Sequence, residues 1–304
     1  MNLTIIIPTK NRYPILLLTL EYLQESGFSG EIIVADSTNE QINLKEIIKY
    51  KKIRQINCSG LNIEESFYKS ALEVKTKYIS YSGDDDFLIN SGIKKCISFL
   101  ENNQDFAGCT AVGGYQIINR MKLLYNQIIP YKTSSYEENE LSNRLEQMVN
   151  NYTAPWFVYR SKNLIETLKI CSSFKSARSR EIFLLFDTLC DGKIKKLNNC
   201  IYVIRGIHNG HYPYPKNNSE LIETKVYDAI YTKLKSKKIA NNTNEEITLE
   251  ITKFHCNRNS HFISNKKEVL KFYIQLIWLN LLIIYWRELK IIRKYHKKYY
   301  AELS

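Results

Sequence analysis

Leu3-Thr4-Ile5-Ile6-Ile7-Pro8-Thr9-Lys10-Asn11-Arg12 opens the chain, and its reading decides the fold. The run from Leu3 to Ile7 is continuous, apolar and β-branched, the mark of a strand covered on both faces. Pro8 to Arg12 then breaks the strand with polar residues. A helical pattern follows from Pro14 to Gln24, with Leu16, Leu17, Leu20 and Leu23 on one face and Gly27 beyond its end. Glu31-Ile32-Ile33-Val34-Ala35-Asp36 reads as a second buried strand that stops on an acid.

The alternation continues. Leu44 to Tyr50 is expected as a helix, Lys52 to Asn57 as a strand, and Ile63 to Val74 as a helix. Tyr78-Ile79-Ser80-Tyr81-Ser82 is a fourth strand, running into Gly83-Asp84-Asp85-Asp86-Phe87. Repeated βα units of this length predict a mostly parallel sheet with helices on both faces. Ligands of such sheets sit at the carboxyl ends of the strands. Pro8 to Arg12, Asp36 and Asp84 to Asp86 all fall there.

After Phe106 the pattern loosens. Ala111 to Ile118 and Lys122 to Ile129 read as strands, as an antiparallel pair. Leu141 to Val149 is a helix, Pro155 to Arg160 an aromatic strand or loop, and Glu181 to Leu189 a strongly apolar helix behind Arg178 and Arg180. Cys200 to Ile204 is a last strand before the polar loop Arg205 to Tyr214. Lys216 to Glu246 has helical spacing but little apolar content, and Glu268 to Tyr300 is the most hydrophobic and most basic helix.

The whole chain agrees with a globular reading. Its 304 residues are 44% hydrophobic and 24% charged, which excludes wholesale disorder. The net charge of +12 fits nucleic acid, anionic lipid or a phosphorylated substrate. Compositional bias toward Lys is the competing explanation. No groove-reading motif accompanies the basic residues, so nucleic acid is not the expected partner. Seven scattered cysteines without C-x-x-C spacing suit a reducing compartment and argue against a zinc or redox site. The apolar run at the start is too short for a secretory signal. A cytosolic location is the expectation.

Three adjacent carboxylates at a strand end need a counter-charge, and a hard divalent cation with oxygen ligands, Mg²⁺ or Mn²⁺, supplies one. The plain alternative is a solvated Asp-rich turn that caps the next helix.

Ile5 to Arg12 resembles the opening strand and loop of family 2 glycosyltransferases of the GT-A fold, Glu31 to Asp36 their second strand, and Tyr78 to Phe87 the strand and "DxD" turn that hold donor ribose and metal. The resemblance implies an α/β, Rossmann-like GT-A domain over residues 1–215. Its donor-binding half would be about 1–105 and its acceptor half about 106–215, with a helical C-terminal region over 216–304. It also implies a sugar transfer from a nucleoside diphosphate donor, UDP preferred, to a hydroxyl of a glycan or lipid-linked acceptor. By position, Pro8, Thr9, Asn11 and Arg12 would line the nucleotide, Asp36 would receive the base, and Asp84 would lie near the ribose. Asp85 would be the main metal ligand with Asp86 beside it. A literal D-x-D register would choose Asp84 and Asp86 instead.

Three positions depart from the family pattern: Ser37 where a second acid is frequent, Gly83 where the first DxD carboxylate commonly sits, and Tyr68 near a frequent Asn. The G-D-D-D-aromatic subset is similar to transferases of bacterial surface polysaccharides, capsule or lipopolysaccharide.

An inverting transfer needs a general base for the acceptor hydroxyl. Glu181, opening the apolar helix, is the expected one, against its plainer use as a charge complementing the helix dipole. Asp187 is the fallback, with a structural role as an arginine's partner more natural for it. Arg205 and His208 resemble the Arg–His loop that closes on the diphosphate or completes the metal site, while His211 reads as ordinary loop. Trp156 would stack on an acceptor sugar or simply fill the core.

Ile274 to Trp286 is shorter than the about 20 apolar residues of a spanning helix. With the basic residues Arg287 to Lys298 behind it, the 274–300 stretch has two readings. It lies on an anionic membrane surface at the inner face of the cytoplasmic membrane, or it packs on the rest of the chain or on a second subunit of a homo-oligomer. Two rivals to the enzyme remain at this level. A sugar nucleotidyltransferase should open with a Gly-rich loop, which Pro8 to Arg12 lacks. A catalytically inactive homologue serving as a scaffold would explain Ser37 and Gly83.

Overall fold

A computed structural model describes residues 1–117, 127–131, 133–153, 155–206, 224–237, 246–248, 251, 288, 290–292, 294–295 and 298. Strand β1 (Leu3–Thr9) leads into α1 (Tyr13–Glu25), where Pro14 suits the first turn and Gly27, at φ +73°, ends the helix. β2 (Glu31–Asp36), a short α2 (Leu44–Ile47), β3 (Ile53–Asn57), α3 (Ile63–Ala71) and β4 (Tyr78–Tyr81) follow. Asn62 and Glu65 close a capping box on α3, each side chain bonding the other's backbone N–H.

β1 pairs in parallel with β2 and β4, and β2 with β3. This parallel ladder is the one the βα alternation predicts. Beyond it come β5 (Asp86–Leu88), α4 (Asn90–Asn102), β6 (Phe106–Ile117), β7 (Gln127–Tyr131), α5 (Leu141–Asn150), β8 (Val158–Arg160), α6 (Ser161–Cys171), α7 (Ala177–Asp191), β9 (Lys193–Gly206) and α8 (Thr224–Ser236). The described strands form one nine-stranded sheet in the order β3-β2-β1-β4-β8-β6-β9-β5, with β7 beside β6. β8, β5 and β7 run antiparallel to their neighbours while β6 and β9 are parallel. The strand pair expected after Phe106 is thus β6 and β7, although residues 118–126 of it lie outside the described residues.

Alternation along β1 and β2 explains their unbroken apolar runs. Leu3, Ile5, Ile7, Ile32 and Val34 face one core, with α1 and α4. Ile6, Ile33 and Ala35 face the other, with α3, α6 and α7. Full burial of each Leu, Ile or Val side chain among them contributes about 1.5–3 kcal/mol.

The C-terminal region joins both cores. Val226, Ile230 and Leu234 of α8 pack into the second core, and Lys233 Nζ reaches Asp187 Oδ1 on α7 at 2.6 Å. Ile291, Ile292 and Tyr295, on a helical stretch, join the first. Lys294 and Tyr295 both bond Glu25 Oε2 at 2.7 Å, and Lys298 lies 3.4 Å from Glu21, both acids on α1. Glu288 accepts from the backbone N–H and the hydroxyl of Ser91 on α4. Lys294 and Lys298, two of the basic residues behind Trp286, thus pair with acids of α1. Residues 274–287 lie outside the described residues. Among the described residues no helix is long and apolar enough to cross a membrane. Cys58, Cys96, Cys109, Cys171, Cys190 and Cys200 are buried and none is in a disulfide.

Candidate active site

β2, β1 and β4 are adjacent and parallel, so their carboxyl ends share one edge. Thr9 lies opposite Asp36 in the ladder, and Ser82 continues β4 by donating its N–H to Ile6 O at 3.0 Å. Pro8, Lys10, Asn11 and Arg12 cross this edge. Asn11 adopts φ +57°, a conformation Asn tolerates better than most residues, and its N–H donates to Thr38 Oγ1 at 2.9 Å. The loop after β1 is thereby pinned to the loop after β2.

Asp36 is fully buried. Its Oδ2 accepts from Tyr13 OH at 2.5 Å and from Gln55 Nε2 at 2.7 Å, and its Oδ1 accepts from Thr38 N at 3.0 Å. Burial, and the hydrogen bond to this carboxylate, push the Tyr13 phenol up, so Tyr13 stays a donor. Asp36 therefore anchors a local network at the carboxyl end of β2. Tyr13, Thr38 and Gln55 are site residues that sequence reasoning missed. Tyr13 directly follows the Pro8 to Arg12 loop, but nothing in the pattern of β3 signals that the Gln55 side chain bonds Asp36 of β2.

The acidic turn is held from below. Thr9 Oγ1 donates to Asp84 Oδ2 at 3.0 Å and Thr19 Oγ1 to Asp84 O at 2.5 Å. Arg12 spans two carboxylates, with Nη1 2.9 Å from Asp84 Oδ1 and Nη2 3.1 Å from Asp85 Oδ2. The counter-charge the sequence demanded is thus supplied in part by the chain itself. Burial pushes the Asp84 carboxyl up to about 7; Arg12 opposes this, Asp85 adds to it, the Thr9 hydroxyl opposes it and Asp86 adds to it. Asp86 opens β5, is buried, and accepts from Gly83 N at 3.1 Å.

Gly83 has a steric reason. A Cβ there would lie 2.8 Å from Asp85 Oδ1 and 3.0 Å from Asp86 Oδ2. The side chain missing from this position makes room for the two carboxylates that follow. Ser37, the other departure, is buried with its hydroxyl 3.0 Å from that of Ser66.

On the far side of β4, α7 starts at Ala177, four residues before the expectation, which moves Glu181 out of the first turn. Glu181 is half-buried. Its neighbour Arg180 is buried, pairs with Glu64 of α3 at 3.2 Å and lies 5.3 Å over the Phe67 ring. The Tyr81 phenol at the end of β4 is raised above its usual range by burial, with the charges of Arg180 and Glu181 acting on it in opposite senses. Glu181 thus lies within electrostatic reach of the Tyr81 phenol. Half-buried Trp156 packs on the Tyr81 ring, centroids 5.0 Å apart.

A family model described as "Glycosyl transferase family 2" matches residues 4–184. The chain belongs to glycosyl transferase family 2. Among solved structures, S. aureus TarS 1–349 in complex with UDP-GlcNAc aligns with a TM-score of 0.63 and 15% identity, over 99% of this chain and 92% of that one. TarS 1–349 in complex with UDP aligns over the same shares at 0.59 and 15%. TarS itself aligns at 0.57 and 14%, over 98% of this chain and 55% of that one. At such identity the likeness is one of fold. No curated protein matches the chain.

Within this family 2 enzyme, Asp187 is a structural residue, bonded by Thr167 Oγ1 at 2.6 Å and paired with a lysine, Lys233, where an arginine was expected. Arg205 lies opposite Asp86 in the β5–β9 ladder, so its backbone borders the acidic turn. His208 and His211 lie outside the described residues. Among the described residues no group of three or more His, Cys, Asp or Glu converges as a ready-made metal cage. Mg²⁺ is typically held by one or two carboxylates plus substrate phosphates, and the hard oxygens of the acidic turn fit that use.

Proposed function

We propose that this family 2 glycosyltransferase takes a sugar from a UDP-sugar and places it on a hydroxyl of a glycan or lipid-linked acceptor of a bacterial surface polysaccharide, with inversion. The observation that carries the reading is the convergence of Thr9, Arg12, Asp36, Asp84 and Asp85 on one edge of the parallel ladder. Such an edge is where α/β sheets bind their ligands. The catalytic unit in this reading is residues 1–215, a donor half of about 1–105 and an acceptor half of about 106–215, fastened by the helical region 216–304.

The Pro8 to Arg12 loop and Asp36 receive the nucleotide, Asp84 the ribose side, and Arg205 and Arg12 the diphosphate. The acceptor hydroxyl attacks the anomeric carbon from the face opposite the diphosphate. The new C–O bond forms as the bond to the diphosphate oxygen breaks, the electron pair leaves with UDP, and the hydroxyl proton passes to the Glu181 carboxylate. Holding both reactants in line removes much of the entropic barrier. Asp85 leads the residues that would hold Mn²⁺ or Mg²⁺, with Asp86 and His208, and such an ion supplies positive charge for the departing diphosphate. A lipid-linked acceptor would bring the 274–300 stretch to an anionic membrane surface.

The test is release of UDP from a panel of UDP-hexoses and UDP-N-acetylhexosamines with glycan acceptors. Release above that of Asp85→Ala supports the reading. Release equal to it with every donor, from folded protein, contradicts it.

A further inference from the structure

Arg12 is placed unusually for a residue that only lines a nucleotide. Its backbone is fixed, because its carbonyl accepts the N–H groups of Ile15 and Leu16 at 3.1 and 3.0 Å as α1 begins. Its side chain is one-quarter exposed and reaches over the acidic turn. The two guanidinium nitrogens go to two different carboxylates, 2.9 Å to Asp84 and 3.1 Å to Asp85. Such a fork normally grips both oxygens of a single carboxylate or phosphate; here it bridges a pair, which is what a bound metal ion does.

The two partners differ in freedom. Asp84 is buried and tied by Thr9 Oγ1 and, through its carbonyl, by Thr19 Oγ1. Asp85 and Arg12 are the exposed members, at 19% and 25% of their side chains. Gly83 leaves the space into which the Asp85 carboxylate fits. Asp84 is therefore held by groups other than Arg12, whereas the Arg12–Asp85 contact is the one that reaches the surface.

A guanidinium and a divalent ion held at the same Asp85 carboxylate are like charges at close range, so the ion competes with Arg12 for that carboxylate. Resting on the reading of this edge as a nucleotide-sugar site, we propose that Arg12 is a resident counter-ion that a divalent metal must displace. The metal then binds tightly only together with the donor, whose diphosphate receives the displaced guanidinium. This makes Arg12 a positioning residue and couples metal binding to nucleotide binding. Metal and diphosphate arrive as a pair, and Arg12 offsets part of the charge of the acidic turn when both are absent.

The test is Mn²⁺ binding by calorimetry or by electron paramagnetic resonance of the free ion, without nucleotide and then with UDP, in wild type, Arg12→Gln and Arg12→Lys. Thermal unfolding of each protein checks that the fold is kept. The proposal expects wild type to bind Mn²⁺ alone at least tenfold more weakly than with saturating UDP. Arg12→Gln should bind Mn²⁺ alone at least tenfold more tightly than wild type and lose most of the UDP effect. Arg12→Lys, which keeps the charge but cannot fork, should fall between them. Unchanged or weaker binding of Mn²⁺ alone by folded Arg12→Gln would overturn the proposal. If that variant fails to fold, an Mn²⁺ affinity of Arg12→Lys equal to that of wild type does the same. Absence of any UDP effect in wild type together with tighter metal binding by Arg12→Gln would sink the nucleotide-sugar reading and leave the counter-ion role standing.

Discussion

Gly92→Ala tests how the acidic turn is held in place. Gly92 sits in the first turn of α4 against the backbone of β9, and a Cβ built there lies 1.8 Å from Ile201 O. Real Cβ atoms keep beyond 3.0 Å from such an atom, so the helix must retreat by about 1.2 Å. The obstacle is backbone inside a ladder and cannot rotate aside. The same turn carries three ties that the retreat would stretch. Ile89 N–H donates to Tyr202 O at 2.8 Å, Asn90 Nδ2 to Ser26 O at 3.0 Å, and Ser91 N–H to Glu288 Oε1 at 3.0 Å. Overpacking a tight site costs about 1–3 kcal/mol, and weakening such hydrogen bonds about 0.5–1.5 kcal/mol each. The expected loss is therefore about 3 kcal/mol or more. Because β5 and Asp86 lead straight into this helix, UDP affinity should fall as well. Urea unfolding followed by far-UV circular dichroism gives the stability, with Gly60→Ala as comparator. Gly60 has open space around it but φ +79°, so it should lose only about 1–2 kcal/mol. A Gly92→Ala protein within about 1 kcal/mol of wild type would refute the reasoning.

Tyr13→Phe keeps the ring but removes the donor to Asp36 and the acceptor of Ile42 N. A hydrogen bond to a buried charge is worth about 1.5–3 kcal/mol, so urea unfolding should show a loss of about 2 kcal/mol, with weaker UDP binding. Stability and affinity both at the wild-type level would mean that Asp36 does not need its network. Glu181→Gln should lower the rate of transfer by at least ~100-fold while UDP binding is unchanged; a rate within threefold of wild type removes Glu181 as the base. The Asp84 carboxyl, pushed up to about 7 in the fold, holds its proton to higher pH than in the unfolded chain, where Asp titrates near 4. Between those values the native state binds more protons, so stability falls as pH rises through this window. Asp84→Asn should flatten that part of the melting-temperature profile, and an unaltered slope would contradict the assignment.

Much of the donor half was legible where an element is locally self-consistent, although the helix expected over 44–50 is only Leu44–Ile47. Apolar β-branched runs made β1, β2 and β4 strands, and a polar or acidic break marked each carboxyl end. Other elements gave weaker signals. α4 presents only Ile93, Cys96 and Leu100 as fully buried apolar residues, and no side chain caps its start at Ile89. α6 follows β8 with no intervening turn residue, so neither boundary is marked. β9 begins at Lys193, seven residues before its apolar part, because Lys195 and Lys196 sit in a polar stretch of the strand. Partnerships between distant positions were the least legible. Arg12 and Asp85 stand 73 residues apart, and the sequence showed the need for a counter-charge without showing that Arg12 meets part of it. The same holds for Gln55 on Asp36 and for Lys294 on Glu25. Pattern reports which face of an element is buried, whereas such pairs depend on the tertiary register of the sheet.

The central claim, a nucleotide-sugar donor site on the edge formed by Thr9, Arg12, Asp36 and Asp84 to Asp86, is most directly tested by thermal shift with UDP, GDP, dTDP and CDP, each with and without Mn²⁺. A ligand at about 100 times its Kd stabilises the native state by about 2.7 kcal/mol, well within reach of a melting curve. The account predicts the largest rise with UDP, a larger one with Mn²⁺ present, and its loss in Asp85→Asn. Cooperative melting with no shift for any nucleotide, with or without Mn²⁺, would contradict it.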